Sequence, residues 1–495
     1  MVKGKVRALS SLDSAKRRIA KKFGIATPSN VNLLKAYHDL VKSKRIKTDR
    51  NLEILLIKRR VRSLSGIVNV SVLTKPYPCP GKCIYCPSQK GVPKSYLKKE
   101  PAVQRALLNN FDPYLQVETR LKSLKATGHP IDKIELRIIG GTWSFYPRKY
   151  QNWFILRCFQ ACNNKKSKSL EKVQKINEKA KNRIIGITIE TRPDYINKKE
   201  IKRLRMLGVT RVELGVQSIY DDILKLNKRD HNISKVIKGI ELLKNAGFKV
   251  SFQMMPNLYG SSFKKDVEMF KELFTNQDFQ PDLLKIYPLA LIKESPLYKI
   301  YKQKKFKLYN KDKLVKLLVE IKKHIPYYVR IERIIRDIPS EYIIKGGVKT
   351  SNLREIVQKK VKCKCIRCRE IKGDYAKEKL SLFRQDYDAS NSKEIFLSFE
   401  NKDRTHLHSL LRLRILKDSA IIREVHTYGQ MVPVSEKGKA VQHKGLGKKM
   451  IKEAEKIAKK EFNKNKMLII SGIGVRPYYR KLGYKLKDTY MTKKF

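Results

Sequence analysis

Short runs of apolar and β-branched residues alternate with longer amphipathic segments between about residues 65 and 290. This alternation predicts parallel strands joined by crossover helices, because the intervening segments are long enough to hold helices. The predicted strands are residues 67–73, 134–139, 184–189, 212–216, 250–254 and 283–286.

A polar or Gly/Pro-containing motif follows each of these predicted strands. The motifs are a cysteine loop at residues 79–86, Gly140-Gly141-Thr142, Glu190-Thr191-Arg192, Gln217-Ser218, Met255-Pro256 and Tyr287-Pro288. In a β/α barrel the loops that follow the strands share one face, and that face carries the active site. We therefore expect these six motifs to converge around one site in a partial β/α barrel.

The chain changes character after about residue 376. Residues 394–399 and 410–415 alternate as antiparallel strands do, and residues 420–429 predict another strand. A glycine-rich turn at residues 442–448 then opens a helix that continues to residue 460, and a strand follows at 467–471. This order predicts a separate α+β domain.

Basic side chains dominate the composition: Lys and Arg number 111 against 46 Asp and Glu, a formal net charge of +65. Such an excess favours a polyanionic partner, and nucleic acid is the natural one. A Lys-rich bias from AT-rich coding is the alternative explanation for part of it. The densest groups are Lys58, Arg59, Arg60 and Arg62, at the end of a helical region over residues 1–62, and Lys94, Lys98 and Lys99.

The length of 495 residues predicts more than one domain. Its apolar runs are too short for a membrane span, and the first residues lack the apolar core of a signal peptide. The eight cysteines are mostly clustered in metal-like spacings. These features predict a cytoplasmic protein with no membrane partner.

Cys79, Cys83 and Cys86 form a C-x3-C-x2-C triplet. Three thiolates are one fewer than a closed four-thiolate iron–sulfur site needs. The triplet resembles the cluster loop of radical SAM enzymes, which implies a [4Fe-4S] cluster whose open iron binds S-adenosylmethionine. A structural zinc knuckle or a disulfide is the alternative, but no fourth zinc ligand is adjacent.

The same resemblance implies roles for residues at the ends of the strands. Gly140, Gly141 and Thr142 are expected to meet the methionine part of S-adenosylmethionine, since a glycine pair allows close backbone approach. Glu190 and Arg192 are expected to hold the nucleoside, or else to pair with each other, and Gln217 is a further cofactor-binding candidate.

Lys285 lies in the last predicted strand of this region and is a catalytic candidate. It would place a cation in the barrel cavity, which is costly unless an anion meets it. Cys158 and Cys162 are four residues apart on a predicted helix, and we interpret them as buried apolar side chains.

A second triplet, Cys363, Cys365 and Cys368, has C-x-C-x2-C spacing. Zinc with one histidine would complete a tetrahedral shell, although a second iron–sulfur cluster is the alternative. The candidate histidines are His406, His408, His426 and His443, of which His443 is the predicted ligand and His426 the reserve.

The turn that opens the predicted C-terminal helix presents consecutive N–H groups, which suit a pyrophosphate. Together with the following strand and Tyr478-Tyr479, it resembles the acetyl-CoA site of GNAT acetyltransferases. The implied acetyl-CoA-binding residues are Gln442, His443, Lys444, Gly445, Leu446, Gly447 and Lys448. Tyr478 and Tyr479 are candidates for acetyl-CoA contact or for protonation of the leaving thiolate, or they pack in the core.

Nearly the whole chain resembles the Elongator catalytic subunit family in its stand-alone archaeal or bacterial form. The motifs that carry the resemblance are residues 186–194, 211–218, 226–229, 252–258, 423–426 and 478–484. It implies a radical SAM barrel fused through a zinc-binding linker to a GNAT domain. The expected domains are 1–62 (basic, helical, tRNA-binding), 63–345 (barrel), 346–375 (linker) and 376–495 (GNAT).

The resemblance also implies a reaction: acetyl-CoA and radical chemistry convert the wobble uridine of a tRNA anticodon to 5-carboxymethyluridine. The expected partners are the tRNA anticodon stem-loop, whose bases can be splayed out, and an electron donor of unknown identity. Nothing in the chain requires other Elongator subunits. The alternatives are a GNAT-type protein lysine acetyltransferase with the barrel as a platform, and a tRNA-binding scaffold with little catalysis.

Overall fold

The computed structural model describes residues 9–57, 63, 65–350, 352–373, 375, 378–429 and 445–495. Three helices precede the first sheet: α1 (Leu9–Lys22), α2 (Asn30–Lys42) and α3 (Arg50–Leu56). They pack around a small apolar cluster that includes Leu12, Leu34 and Leu56. These three helices agree with the helical region predicted over residues 1–62.

A seven-stranded, fully parallel sheet forms the larger part of the molecule. Its strands follow the order β1-β2-β3-β4-β5-β6-β8. They are β1 (Ile67–Leu73), β2 (Lys133–Ile139), β3 (Arg183–Thr191), β4 (Arg211–Gln217), β5 (Lys249–Met254), β6 (Leu283–Ile286) and β8 (Arg330–Arg333). Because β1 and β8 have no pairing with each other, the sheet is a partial barrel.

Helices connect the strands of this sheet and cover its outer face. They are α4 (Pro101–Leu108), α5 (Pro113–Ala126), α6 (Arg148–Asn163), α7 (Leu170–Asn177), α8 (Lys198–Met206), α9 (Asp221–Leu226), α10 (Ile233–Asn245), α11 (Phe263–Thr275), α12 (Leu297–Lys302) and α13 (Lys311–Lys323). Their ends follow local chemistry: the Asp112 carboxylate accepts the Leu115 N–H at 3.0 Å, and Pro113 stands at the first position of α5.

The six predicted strands are all present, and their ends agree within two residues. Every residue of β4 is buried, as expected for a central parallel strand that is covered on both faces. The seventh strand, β8, was missed because three of its four residues are charged, so it lacks the apolar signal of the others.

The segment after the parallel sheet is short and irregular. A two-stranded sheet pairs β7 (Leu291–Ile292) with β9 (Ile343–Lys345). Two helices follow, α14 (Leu353–Lys360) and α15 (Ile366–Arg369), and the latter begins immediately after the second cysteine of the second triplet. The N–H of Ile366 donates to the carbonyl of Val329 at 2.9 Å, which fixes this segment against β8.

A second seven-stranded sheet, with the order β10-β11-β12-β13-β14-β16-β15, occupies the C-terminal part. Its strands are β10 (Ser381–Ala389), β11 (Ser392–Glu400), β12 (Leu407–Ile415), β13 (Ala420–Thr427), β14 (Lys466–Ile469), β15 (Lys485–Lys487) and β16 (Tyr490–Lys494). Pairs are antiparallel except β13 with β14, which α16 (Leu446–Lys460) connects. A short helix, α17 (Arg476–Arg480), precedes β15.

The two sheets meet through a buried, charged interface. Asp282, at the start of β6, receives Arg423 and Arg412 from the second sheet. Glu178, after α7, receives Arg476 and Arg480.

Glycine also allows close contact at this interface. Gly472 lies against the carbonyl of Ile185 in β3, so closely that a Cβ there would overlap it.

Among the helices that the structure describes, none is long and apolar enough to cross a membrane.

Candidate active site

A cavity of about 1270 Å³ opens at the carboxyl ends of the parallel strands. All six predicted motifs contribute lining residues, so the expected convergence is confirmed. The lining includes Cys79, Cys83, Cys86, Gly140, Gly141, Thr142, Glu190, Thr191, Arg192, Gln217, Met255, Lys285, Tyr287 and Pro288.

The cysteine loop at residues 79–86 is held from several sides. Its middle thiol, Cys83, is buried, and Cys79 and Cys86 are half-buried. The ammonium of Lys94 donates to the carbonyl of Gly81 at 2.7 Å, and the Ile84 N–H donates to the carbonyl of Asn227 at 3.3 Å. These contacts fix the backbone between the cysteines.

Arg229 also contacts this loop, since its Nη1 donates to the Cys83 sulfur at 3.3 Å. A hydrogen bond from Cys86 is the main cause that lowers the pKa of Cys83 to about 4, and the Arg229 guanidinium lowers this pKa further. A thiolate at Cys83 is the form that binds a metal.

Gly140 and Gly141 follow β2 at the wall of the cavity. Gly140 has φ +124°, and a Cβ there would overlap the hydroxyl of Thr74 in the neighbouring segment. The missing Cβ of Gly141 would lie 3.7 Å from the Tyr146 hydroxyl and 3.9 Å from its ring, which is ordinary contact. The backbone geometry and Thr74 therefore require glycine at 140, while Gly141 leaves space beside the cavity.

Glu190 and Arg192 do not pair with each other, so that alternative is wrong. Arg192 instead binds Asp194 at 2.8 Å and Asp230 at 3.2 Å. Glu190 instead accepts a hydrogen bond from the Tyr96 hydroxyl at 3.2 Å.

Lys285 is buried and its ammonium contacts the carboxylate of Glu213, on β4, in a short ion pair. A second carboxylate, Glu190, lies 3.4 Å from the same ammonium. The predicted need for an anion is therefore met within the protein. Burial raises the pKa of Glu190, and Glu213 raises it further, while Lys285 opposes the shift.

Gln217 has an unusual backbone conformation for a residue with a side chain. Its φ is +72°, and its carbonyl accepts the N–H of Met255 at 2.8 Å. The side chain is buried, faces the cavity, and leaves its amide oxygen without a hydrogen-bond partner among the described residues. Strain together with an unsatisfied polar atom is typical of a ligand-facing residue.

The second triplet gathers its sulfur atoms tightly: those of Cys363, Cys365 and Cys368 all lie within 4.8 Å of one another. Among the described residues it is the one group of metal-binding side chains with that spacing, and the first triplet is wider. Tetrahedral zinc with Zn–S bonds of about 2.3 Å places neighbouring sulfurs about 3.8 Å apart. The second triplet thus suits one ion, whereas the thiolates of a cluster bind separate irons and must lie farther apart.

The histidines expected near the second triplet have different environments. His406 and His408 both contact the Glu378 carboxylate, at 2.8 and 2.7 Å. His426 is on β13, with its ring 4.3 Å from that of Tyr428, and burial lowers its pKa to about 4. The predicted ligand, His443, lies outside the described residues.

The glycine-rich turn enters α16 through Gly445, which has φ +68°. Gln442, His443 and Lys444 lie outside the described residues. Tyr478 is 43% exposed, and its hydroxyl lies 3.4 Å from the position of a Cβ at Gly447. Tyr479 is buried in the core of the second sheet, so only Tyr478 faces the start of α16.

Some of the basic residues predicted to bind tRNA lie outside the described residues, and others lie inside them. Lys58, Arg59, Arg60 and Arg62 lie outside the described residues. Lys94 and Lys99 line the cavity, although Lys94 binds the cysteine loop and Lys99 pairs with Glu341 at 2.9 Å. Lys98 is exposed.

Several functional side chains were missed in the sequence. Glu213 and Arg229 are the most important, because they hold Lys285 and Cys83. Glu213 lies two residues from Arg211 and four from Gln217 in β4, so the period-two alternation of a strand is a signal that could have placed it on the inner face. Arg229 follows a helix end, where no periodic signal applies.

Two family models match the chain: the Radical SAM superfamily over residues 77–273 and the Radical_SAM C-terminal domain over residues 281–362. A tRNA uridine(34) acetyltransferase of Methanocaldococcus infernus is 47% identical over 501 residues, which cover 95% of this chain and 92% of that protein. Elongator complex protein 3 of Homo sapiens is 36% identical over 519 residues, covering 97% and 93%.

A solved structure agrees with these sequence matches. The archaeal Methanocaldococcus infernus Elp3 with an N-terminal deletion superposes with a TM-score of 0.77 at 45% identity. The match covers 87% of this chain and all of that one, so it extends over both sheets.

Proposed function

The chain belongs to the family of tRNA uridine(34) acetyltransferases and Elongator complex protein 3, and from this membership we infer that it modifies the wobble uridine of tRNA. We propose that it forms 5-carboxymethyluridine there, with acetyl-CoA as the source of the two-carbon group. The observation that carries this proposal is the single cavity that brings the cysteine loop together with Gly141, Glu190, Gln217 and Lys285.

The first triplet fits a [4Fe-4S] cluster. Its three thiols line one cavity, they are not gathered as tightly as those of the second triplet, and one of them is held by an arginine. When bound, the cluster and S-adenosylmethionine supply the radical chemistry that activates the acetyl methyl group for bond formation at C5 of uracil. Cys79, Cys83 and Cys86 would hold the cluster.

Residues on the neighbouring loops would hold S-adenosylmethionine. Gly141 leaves space for a ligand beside the backbone, and Gln217 has a free amide oxygen directed at the cavity. The Arg192 guanidinium is already shared between Asp194 and Asp230, which supports a role in shaping the wall rather than in holding a ligand carboxylate.

Glu190 and Lys285 are the groups suited to proton transfer in the cavity. Substitution at C5 of uracil by a carbon radical requires loss of the C5 hydrogen as a proton and of one electron, for which the cluster would be the acceptor. Glu190 has a raised pKa, which makes it a better base than an ordinary carboxylate. Lys285 lies 3.4 Å away and would stabilise the ionised form.

Acetyl-CoA binding is proposed at the start of α16. Consecutive N–H groups from Gly445 onward and the helix dipole would meet the pyrophosphate. Tyr478, exposed above Gly447, is the candidate for contact with the thioester. Zinc at the second triplet would tie the segment between the two sheets to β8 through Ile366.

The test uses purified full-length protein with its cluster reconstituted, a chemical reductant, S-adenosylmethionine, acetyl-CoA and unmodified tRNA. Nucleoside analysis by mass spectrometry should show 5-carboxymethyluridine only when all components are present. The Cys83→Ala variant should form none, whereas Cys158→Ala, which removes a buried thiol outside the cavity, should remain active. Acetylation of protein lysines with unmodified tRNA would contradict the proposal.

A further inference from the structure

Arg229 lies between the cysteine loop and the parallel sheet. Its Nη1 donates to the Cys83 sulfur at 3.3 Å, and its Nη2 donates to the carbonyl of Gly215, in β4, at 2.5 Å. The turn that carries it is fixed, because Asn227 is fully buried and its carbonyl accepts the Ile84 N–H of the loop. The guanidinium is therefore fixed relative to one thiol of the triplet.

The positive charge of Arg229 has no carboxylate partner. Among the described residues, no carboxylate oxygen lies within 4 Å of its guanidinium, and the adjacent Asp230 pairs with Arg192 instead. Two other cations that border the cavity do have carboxylate partners: Lys285 pairs with Glu213, and Arg336 pairs with Glu100. The groups that can develop negative charge next to Arg229 are the Tyr85 hydroxyl and the thiols of Cys83 and Cys86.

The three thiols are not equivalent in this respect. Within the described part of the chain, Cys83 is the one member of the first triplet whose sulfur accepts a hydrogen bond from a cationic side chain. Cys79 has no such donor, and Arg336 influences Cys86 only through its charge. The contact is therefore specific to one thiolate.

We propose that Arg229 is a positioning residue that raises the reduction potential of the cluster held by the triplet, through its charge and its hydrogen bond to Cys83. The proposal rests on the cluster assigned under the proposed function. The reduced cluster carries one more negative charge than the oxidised one, and a nearby buried cation stabilises the form with more negative charge. Hydrogen bonds to cluster sulfurs and net charge set the potential of such sites.

A purely structural role is the competing explanation, because the Gly215 contact could serve only to fix the turn. The two roles differ in one measurable quantity, the midpoint potential of the cluster. We would measure it by EPR-monitored redox titration of the reconstituted full-length chain, without S-adenosylmethionine, tRNA or acetyl-CoA. Iron and sulfide content is measured on the same samples.

Arg229→Met and Arg229→Gln remove the charge, and Gln keeps a hydrogen-bond donor. We expect both variants to have a lower midpoint potential, by at least about 59 mV. For a one-electron couple this shift corresponds to a tenfold lower ratio of reduced to oxidised cluster at a fixed applied potential. Lys82→Gln is the matched control, since it removes a charge adjacent to Cys83 in sequence but exposed to solvent, where screening weakens it. Its midpoint should equal that of the unmodified chain.

An unchanged midpoint in Arg229→Gln, with full iron and sulfide content, would overturn the proposal. Loss of the cluster from both neutral variants would overturn it as well, because Arg229 would then be needed to hold the cluster rather than to set its potential. Failure of the unmodified chain to form a [4Fe-4S] signal would instead contradict the proposed function itself.

Discussion

The carboxylate of Asp282 and the guanidinium of Arg423 form a two-point ion pair between the two sheets, with N–O distances of 2.5 and 2.8 Å and no exposure of either side chain. Breaking a buried pair from one side leaves an uncompensated charge, which costs about 3–5 kcal/mol. We expect Asp282→Asn to lower the stability of the chain by about that amount in urea unfolding followed by circular dichroism.

The matched control is the exposed pair between Arg384 and Glu461, 36% and 44% exposed. Glu461→Gln should change stability by less than about 1 kcal/mol, because water screens such a pair. Equal effects of Asp282→Asn and Glu461→Gln would show that the interface does not depend on Asp282.

Tyr478 and Tyr479 should separate function from folding. Tyr478→Phe removes an exposed hydroxyl near Gly447, so acetyl-CoA hydrolysis in the presence of tRNA should fall with an unchanged melting temperature. Tyr479→Ala removes a buried ring and should destabilise the second sheet by about 3–5 kcal/mol. Full hydrolysis by Tyr478→Phe would exclude its hydroxyl from the reaction.

The second triplet should bind one zinc ion. Cys365→Ser replaces its buried thiol and should abolish zinc binding, measured by elemental analysis of protein purified without added metal. His443→Ala should have the same effect if His443 is the fourth ligand, whereas His426→Ala should retain the metal. Iron in place of zinc, or zinc retained in Cys365→Ser, would contradict this assignment.

The basic end of the N-terminal region should bind phosphates of tRNA. Reversal of Arg59, Arg60 and Arg62 to Glu should weaken tRNA binding for all sequences and lower the salt dependence by two to three counterions, roughly one per lost phosphate contact. The control reverses Lys456, Lys459 and Lys460, exposed side chains on α16, and changes the net charge equally. Equal losses in both triple variants would indicate a general charge effect.

His231 should make the protein sensitive to acid. Its ring is buried beside Arg229. Burial, and then the positive charge of Arg229, lower the pKa of His231 to about 3 from an ordinary value of 6.5. The folded state therefore favours the neutral ring, so this contribution to stability is present above pH 6.5 and is lost progressively as the pH falls towards 3. Between pH 7 and pH 5 the loss attributable to His231 is about 2 kcal/mol.

The measurement compares urea unfolding of the unmodified chain and of His231→Phe at both pH values. The variant cannot titrate at this position, so its stability should fall less between pH 7 and pH 5. Parallel losses in the two proteins would mean that His231 is not held neutral.

The strands that position the site could be predicted because buried parallel strands are rich in apolar and β-branched residues, as in β1 and β6, whose ends agree with the prediction. The convergence of the cavity residues followed from the rule that loops after parallel strands share one face. Neither inference required knowledge of a contact between distant residues.

The remaining features depend on tertiary pairing and could not be predicted in this way. Glu213 is recognisable as the partner of Lys285 only when β4 and β6 are placed across the same cavity. Thr74 explains Gly140 only when the two backbones are adjacent. Arg192 binds Asp230, 38 residues away in the sequence, in addition to the nearby Asp194, and the first of these contacts is not visible in the sequence.

The contact of Gly472 with Ile185 bears on how a two-carbon unit would pass from the second sheet to the cavity. β3 touches the second sheet region near its beginning and carries Glu190 near its end. Without space for even a methyl group at this joint, the two halves cannot move closer together here. Under the proposed function, a two-carbon unit released near Tyr478 would therefore have to travel to the cavity itself, by diffusion or on a moving chain segment.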